Sequence, residues 1–221
     1  MTTYCVKQNL LLVQKSIVPY TPNIVAVTKY YDKEAIIDAY DAGLRDFGES
    51  RAIDAIEKIE SLPGEIRKNS RFHFIGHLQS NKTDKVVKHF DIIQSVDSLK
   101  LAKAISESAQ KLDKIQKVLL QVNISEEVQK FGLKEGELYS KFQEIIKLPN
   151  LKVEGLMCMA PLNANDKEIE AVFNKANQIK SELNNKHKMN MQELSMGMSN
   201  DYKIAVAQGA TMIRLGRILF K

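Results

Sequence analysis

The chain has 221 residues and a mass of 25.0 kDa, with 44% hydrophobic and 27% charged residues, which excludes a disordered tail protein and a collagen-like fibre. It carries 32 basic and 27 acidic residues for a net charge of +5, and only six of the basic residues are arginine. The lysines are scattered rather than blocked, so the basicity reads as a solvated surface and no nucleic-acid partner is expected.

The two cysteines, Cys5 and Cys158, have no C-x-x-C partner, and neither a disulfide framework nor a cysteine zinc site is expected. The longest apolar stretches, residues 10–13 and 155–161, fall far below the roughly 18 residues of a membrane span. The N-terminal MTTYCVKQNL lacks the basic start and apolar core of a signal peptide. A cytoplasmic protein with no membrane partner is the expectation.

Along the chain, short apolar runs alternate with longer amphipathic ones, the pattern of repeated βα units around a parallel sheet. A helical N-terminal run, 6–17, comes first. Strands are expected at 24–29, 46–48, 71–76, 92–96, 117–124, 153–159, 193–198 and 212–219. Runs such as IVAV and VLLQV are apolar on both faces, as strands are when helices cover the outside and side chains fill the inside. Between them, Leu101, Ala102, Ile105, Ala109 and Leu112 recur at helical spacing after Asp97 and Ser98. In the longest helix Asp166 is the expected cap, with Ile169, Val172, Phe173, Ala176 and Leu183 on one face. Ser199 is the expected cap of the last helix and Gly209 its stop, as Gly43 ends the helix after the first strand.

Eight strands in 221 residues, about 28 residues per unit, match a compact (β/α)8 TIM-type barrel, with residues 1–221 as a single domain. An open doubly wound sheet is the competing architecture. The last strand is expected to run almost to Lys221 with no helix after it, leaving the N-terminal helix to cover part of the outside.

In such a barrel the active site lies at the C-terminal ends of the strands. There the chain places Lys29, Gly48-Glu49-Ser50, Gly76-His77, Asn123, Met157-Cys158-Met159, Gly197-Met198-Ser199, and Arg214 with Gly216. On position alone Lys29 is a solvent-exposed strand-end lysine; pointing inward, it becomes a desolvated amine suited to Schiff-base chemistry. Glycines and a helix start after the seventh and eighth strands suit a phosphate, since small residues let backbone N–H groups approach the anion. His73 reads as a hydrogen-bonded core histidine, and Met157, Met159, Met196 and Met198 as barrel lining. No metal-ligand spacing, nucleophile elbow or Walker-type loop occurs.

AVTK at 26–29, FGES at 47–50, HFIGHLQSNK at 73–82, QVNIS at 121–125 with Lys130 and Gly132, GLMCMAP at 155–161, SMGMSND at 195–201 and RLG at 214–216 appear in that order. Together they resemble the pyridoxal phosphate homeostasis proteins, single-domain relatives of the N-terminal barrel of alanine racemase. The resemblance implies that Lys29 holds pyridoxal 5′-phosphate as an internal aldimine. It implies that Ser195, Gly197, Met198 and Gly216 cradle the phosphate, that Arg214 faces the pyridine nitrogen, and that Asn123 and residues 155–161 wall the ring. The chain departs from the family at Ser50, where asparagine is usual, and at Arg217, where serine or threonine often donates to the phosphate. It also stops at Lys221, where the family pattern runs on into glycine and a short tail.

A positive Arg214 beside the ring nitrogen disfavours its protonation and so disfavours carbanion chemistry. With no second domain to supply a second acid-base group, the expectation is a monomeric, non-catalytic carrier that passes the cofactor to apoenzymes. An amino-acid racemase or lyase using His77 or Tyr31 is the alternative, and a Schiff-base aldolase acting on a sugar phosphate is a third reading.

Overall fold

The computed structural model describes residues 4–125, 127 and 129–221. Helix α1 (Val6–Ser16) leads into eight parallel strands: β1 (Asn23–Val27), β2 (Asp46–Glu49), β3 (Arg71–Phe74), β4 (Ile92–Val96), β5 (Gln116–Gln121), β6 (Leu151–Met157), β7 (Glu193–Ser195) and β8 (Met212–Leu215). Each pairs with its neighbour in chain order, and β8 pairs back onto β1 to close the barrel, with Val25 opposite Arg214. The connecting helices are α2 (Lys33–Asp41), α3 (Ala52–Glu60), α4 (Gly64–Lys68), α5 (Thr83–His89), α6 (Leu99–Lys111), α7 (Glu135–Ile145), α8 (Asp166–His187) and α9 (Tyr202–Ala207), and α10 (Arg217–Phe220) follows β8. Among the described residues no helix is long and apolar enough to cross a membrane. The expected (β/α)8 barrel is the observed fold.

Two packing layers follow from the alternation of side chains along each strand. Phe47, Phe72, Phe74, Ile93, Leu120, Leu156, Leu194 and Ile213 face outward and pack with Ile105, Phe142 and Phe173 of the helices in one large core. A separate inner cluster consists of Ile92, Leu119 and Met157, with Met159 against it. Of the four methionines expected to line the barrel, Met157 and Met159 do so. Met196 instead belongs to the outer core, and Met198 is 39% exposed.

Several local expectations need correction. The final strand stops at Leu215, four residues early: the amides of Leu219 and Phe220 bond back to the Gly216 carbonyl, and residues 217–220 coil into α10. The run Arg217-Ile-Leu-Phe220 is too short for periodicity to separate strand from helix. Helix α1 packs against this turn, and Asn9 Nδ2 donates to the Leu219 and Lys221 carbonyls at 3.0 and 2.9 Å. The cap of α8 is Asn165, not Asp166; its side chain accepts from Glu168 N while Glu168 reaches back to Asn165 N. Ser199 caps nothing, since α9 begins at Tyr202 after Asp201. Leu112 lies at the C-cap of α6 and is exposed. Ser98 caps α6 by accepting from Leu101 N, and the expected stops Gly43 and Gly209 take φ values of +101° and +90°.

At Gly155 the backbones of β6 and β7 approach closely. A Cβ on it would lie 1.8 Å from the Glu193 carbonyl oxygen, so β6 and β7 pair here only because no side chain intervenes. We expect Gly155→Ala to part the strands and lower the unfolding free energy by about 3 kcal/mol, the upper range for overpacking, read as a fall in the urea midpoint.

Candidate functional site

The rim begins at the end of β1. Thr28 faces outward and is fully buried; its hydroxyl donates to Glu49 Oε1 at 2.8 Å. Lys58 Nζ, reaching over from α3, donates to the same carboxylate oxygen at 2.7 Å and to the Thr28 carbonyl at 2.8 Å. This buried brace joins the ends of β1 and β2 to α3, immediately before Lys29. Lys29 is half-buried, its carbonyl accepts from Arg51 Nη2 at 3.0 Å, and its Nζ lies 5.0 Å from the Tyr30 ring centroid.

On the adjoining β8, Arg214 is 4% exposed. Its Nη1 donates to Ser195 Oγ at 2.7 Å and its Nη2 to the Cys158 carbonyl at 3.0 Å, so both partners are neutral oxygens. Burial pulls the Arg214 pKa down, and the Asp201 carboxylate opposes that shift through space. Burial in turn raises the Asp201 carboxyl above the ordinary aspartate value, against the hydrogen bond from Met198 N and the attraction of Arg214. Burial also pushes the Cys158 thiol up to about 12, which leaves it an inert packing group. Gly216 follows Arg214 beside Val27, where a Cβ would sit 3.3 Å from the Val27 carbonyl oxygen.

The segment after β7 turns sharply at Gly197, which has φ +88° and no room for a Cβ: the atom would fall 2.5 Å from Ala205 Cβ and 3.0 Å from Tyr202 Cα. Its carbonyl accepts from Arg214 N at 3.0 Å, tying the ends of β7 and β8 together. Met198 N donates to Asp201 Oδ1 at 2.5 Å. Ser195 is wholly buried with its hydroxyl turned into the lumen, where it donates to Gln94 Oε1 at 2.7 Å.

Lys29, Ser195, Gly197, Met198, Arg214 and Gly216 thus come from three strand ends that are consecutive around the barrel, β7, β8 and β1. Ser50 lies across β1 at the end of β2, half-buried, and its carbonyl packs so close to Gly76 that a Cβ there would come within 2.2 Å. Asn123 spends its side-chain amide on the loop after β5, donating to the Glu127 and Lys130 carbonyls at 2.8 and 3.3 Å. Lys130 extends this wall to β6 through a 3.1 Å bond to the Ala160 carbonyl. Arg217 is exposed at the start of α10. The two rim groups weighed as acid-base candidates are otherwise engaged. Tyr31 packs between Tyr4 and Phe220, and His77 stacks on Phe131 at 3.9 Å while pairing with Asp97 at 3.2 Å. Among the described residues no cluster of three or more His, Cys, Asp or Glu could hold a metal.

Sequence reasoning missed the polar filling of the lumen. His73, fully buried as expected of a core histidine, bonds Asp46 Oδ1 through Nε2 at 2.7 Å and Gln94 Nε2 through Nδ1 at 2.8 Å. The signal was a glutamine in the strand IIQSV and an aspartate opening the DFG strand. Burial alone would raise the Asp46 pKa, but the hydrogen bonds from His73 and Arg71, with the Arg71 charge, outweigh it and hold the carboxyl below its ordinary value.

The model of the family "Alanine racemase, N-terminal domain" matches residues 4–221. A pyridoxal phosphate homeostasis protein of Synechocystis is 42% identical over 202 residues, covering 91% of this chain and 92% of its own length. That of Escherichia coli is 34% identical, covering 91% and 86%. The structure of PipY of Synechococcus elongatus with PLP bound superposes with a TM-score of 0.88 at 36% identity, covering 98% of this chain and all of that one. An alanine racemase of Clostridium difficile shares the fold at a TM-score of 0.77 and 17% identity, and this chain spans 56% of its length.

Two outcomes are expected. Gly197→Ala, strained in both backbone and contact, should unfold at lower urea than the wild type by about 2 kcal/mol and loosen the segment after β7 in hydrogen exchange. A depressed folded-state pKa at Asp46 contributes stability that is present above the unfolded value of about 4 and is lost as pH falls through the folded value. Urea midpoints followed from neutral pH to below about pH 4 should therefore drop less steeply for Asp46→Asn than for the wild type.

Proposed function

Because the chain belongs to the alanine racemase N-terminal domain family and, within it, to the pyridoxal phosphate homeostasis proteins, we propose that it binds pyridoxal 5′-phosphate through Lys29 and acts as a carrier or buffer of that cofactor, with little or no catalysis. The Lys29 amine adds to the cofactor's aldehyde and a water leaves, giving a Schiff base at the mouth of the barrel. The turn at Gly197 and Met198, with Gly216 after β8, supplies the backbone that would meet the phosphate, and the exposed Arg217 lies next in the chain to add charge. Ser195 belongs to the site through Arg214, whose guanidinium it holds. Asn123 and residues 155–161 form the wall opposite, and Ser50 supplies a shorter side chain than the family's usual asparagine.

The observation that carries the non-catalytic reading is the buried Arg214. When bound, the cofactor supplies an electron sink whose strength depends on a protonated ring nitrogen. A cation facing that nitrogen opposes its protonation, whereas a carboxylate would favour it. Racemisation also needs an acid-base group on each face of the substrate. Tyr31 and His77, the rim candidates for a second group, are held by Phe220, Phe131 and Asp97, which supports the carrier over a racemase or lyase. On this reading residues 1–221 act as one cofactor-binding unit, a cytoplasmic monomer whose partners are the apoenzymes that receive the cofactor.

Purified protein incubated with pyridoxal 5′-phosphate should turn yellow, and borohydride followed by peptide mass mapping should place the label on Lys29. Lys29→Ala should remain colourless after desalting. Turnover of alanine or serine at about 1 per second or faster, abolished in Lys29→Ala, would sink the carrier reading.

A further inference from the structure

The lumen beneath the rim holds polar groups that neither the Schiff base nor phosphate binding uses. A barrel of this kind is normally filled by branched apolar side chains, and each buried polar group costs free energy unless it is bonded. Here Asp46, His73, Gln94, Ser195 and Arg214, from five different strands, are all 5% exposed or less. They form one hydrogen-bonded chain with a single direction. Arg214 donates to Ser195, Ser195 to Gln94, Gln94 to His73, and His73 to Asp46, every contact at 2.7 or 2.8 Å. Arg71 closes the far end on Asp46 Oδ2 at 2.6 Å.

The ends fix the sense of the middle. A guanidinium only donates and a carboxylate only accepts, so three neutral groups between them can satisfy every bond by relaying donor to acceptor in one order. Gln94 confirms that order independently. Its Nε2 also lies 3.0 Å from Met212 Sδ, and the reversed amide would press an oxygen against that sulfur. His73 therefore carries its proton on Nε2 and offers the Nδ1 lone pair to Gln94.

We propose that Gln94 and His73 are positioning residues for Arg214: by accepting the Ser195 proton through Gln94, they keep a hydroxyl lone pair turned toward the guanidinium and pin that cation in the lumen. The proposal rests on the cofactor reading for its consequence, since the pinned cation is the one that meets the ring nitrogen, but the pinning itself is a property of the cofactor-free protein. Without the Gln94 acceptor the Ser195 hydroxyl is free to rotate its proton toward Arg214, and the guanidinium loses one of its two fixed bonds. The Asp46–Arg71 end acts at a distance by setting the His73 tautomer.

The first test needs no substitution. Nitrogen-15 NMR of the cofactor-free wild type should show His73 neutral and protonated on Nε2; protonation on Nδ1, alone or together with Nε2, overturns the relay. The second compares two variants of similar size, with far-UV circular dichroism as the check on folding. In Gln94→Met the relay is cut, and the resolved guanidinium signals of Arg214 should collapse to averaged ones. In Gln94→Glu an acceptor still faces Ser195, and those signals should persist. Unchanged Arg214 signals in a folded Gln94→Met also overturn the proposal; if that variant does not fold, the wild-type tautomer and the Gln94→Glu signals decide. Loaded with pyridoxal 5′-phosphate, Gln94→Met should bind about tenfold more weakly, as expected for one hydrogen bond to a charged group, with a shifted absorption maximum, and Gln94→Glu less than about twofold more weakly. A wild type that shows the pinned arginine and yet takes up no cofactor would refute the cofactor reading and leave the relay standing.

Discussion

A guanidinium sealed inside a closed barrel is the constraint around which the candidate site is arranged. Removing Arg214 from water costs several kcal/mol unless its donors meet oxygen. The Cys158 carbonyl comes from the end of β6 and the Ser195 hydroxyl from β7. Ser195 in turn needs an acceptor for its own proton, which brings in Gln94, and the demand passes along the lumen until it ends on a carboxylate that Arg71 shares. A positive charge at the mouth is thus answered by a negative one at the other end, with neutral groups between.

The same closure makes the rim narrow. Where backbone must approach backbone, glycine stands: Gly155 against Glu193, Gly76 against Ser50, and Gly197 against α9. Thr28, Glu49 and Lys58 lock the outer side of the β1 end just before Lys29. The buried Arg214 and the rim groups Tyr31 and His77, engaged in stacking and an ion pair, are the features on which the proposed carrier role rests.

The eight-fold alternation, the parallel order and most strand cores were legible because period and β-branching report burial directly. So were Lys29, Gly197, Arg214 and Gly216, whose spacing in ordered motifs places them at strand ends. Element ends were less legible. Residues 217–220 read as strand, yet they coil because α1 offers Asn9 and an apolar face to a compact turn and not to an extended one. Met196 read as lining, but the register of β7 sends it outward one residue beyond the inward Ser195.

By itself the amino-acid order determined eight alternating strand and helix runs with a lysine at the end of the first strand, because hydrophobic period reports burial directly; that the sheet closes was decided by the pairing of β8 with β1. Only the tertiary structure decided that Ser195 bonds Arg214 from within and that Asp46, His73 and Gln94 continue the same chain of hydrogen bonds. The five groups of that chain are up to 168 residues apart, between Asp46 and Arg214, and hydrogen bonds between strands depend on register and on which face each side chain takes. Neither is written in local sequence, because a shift of one residue sends the same side chain to the opposite side of the wall.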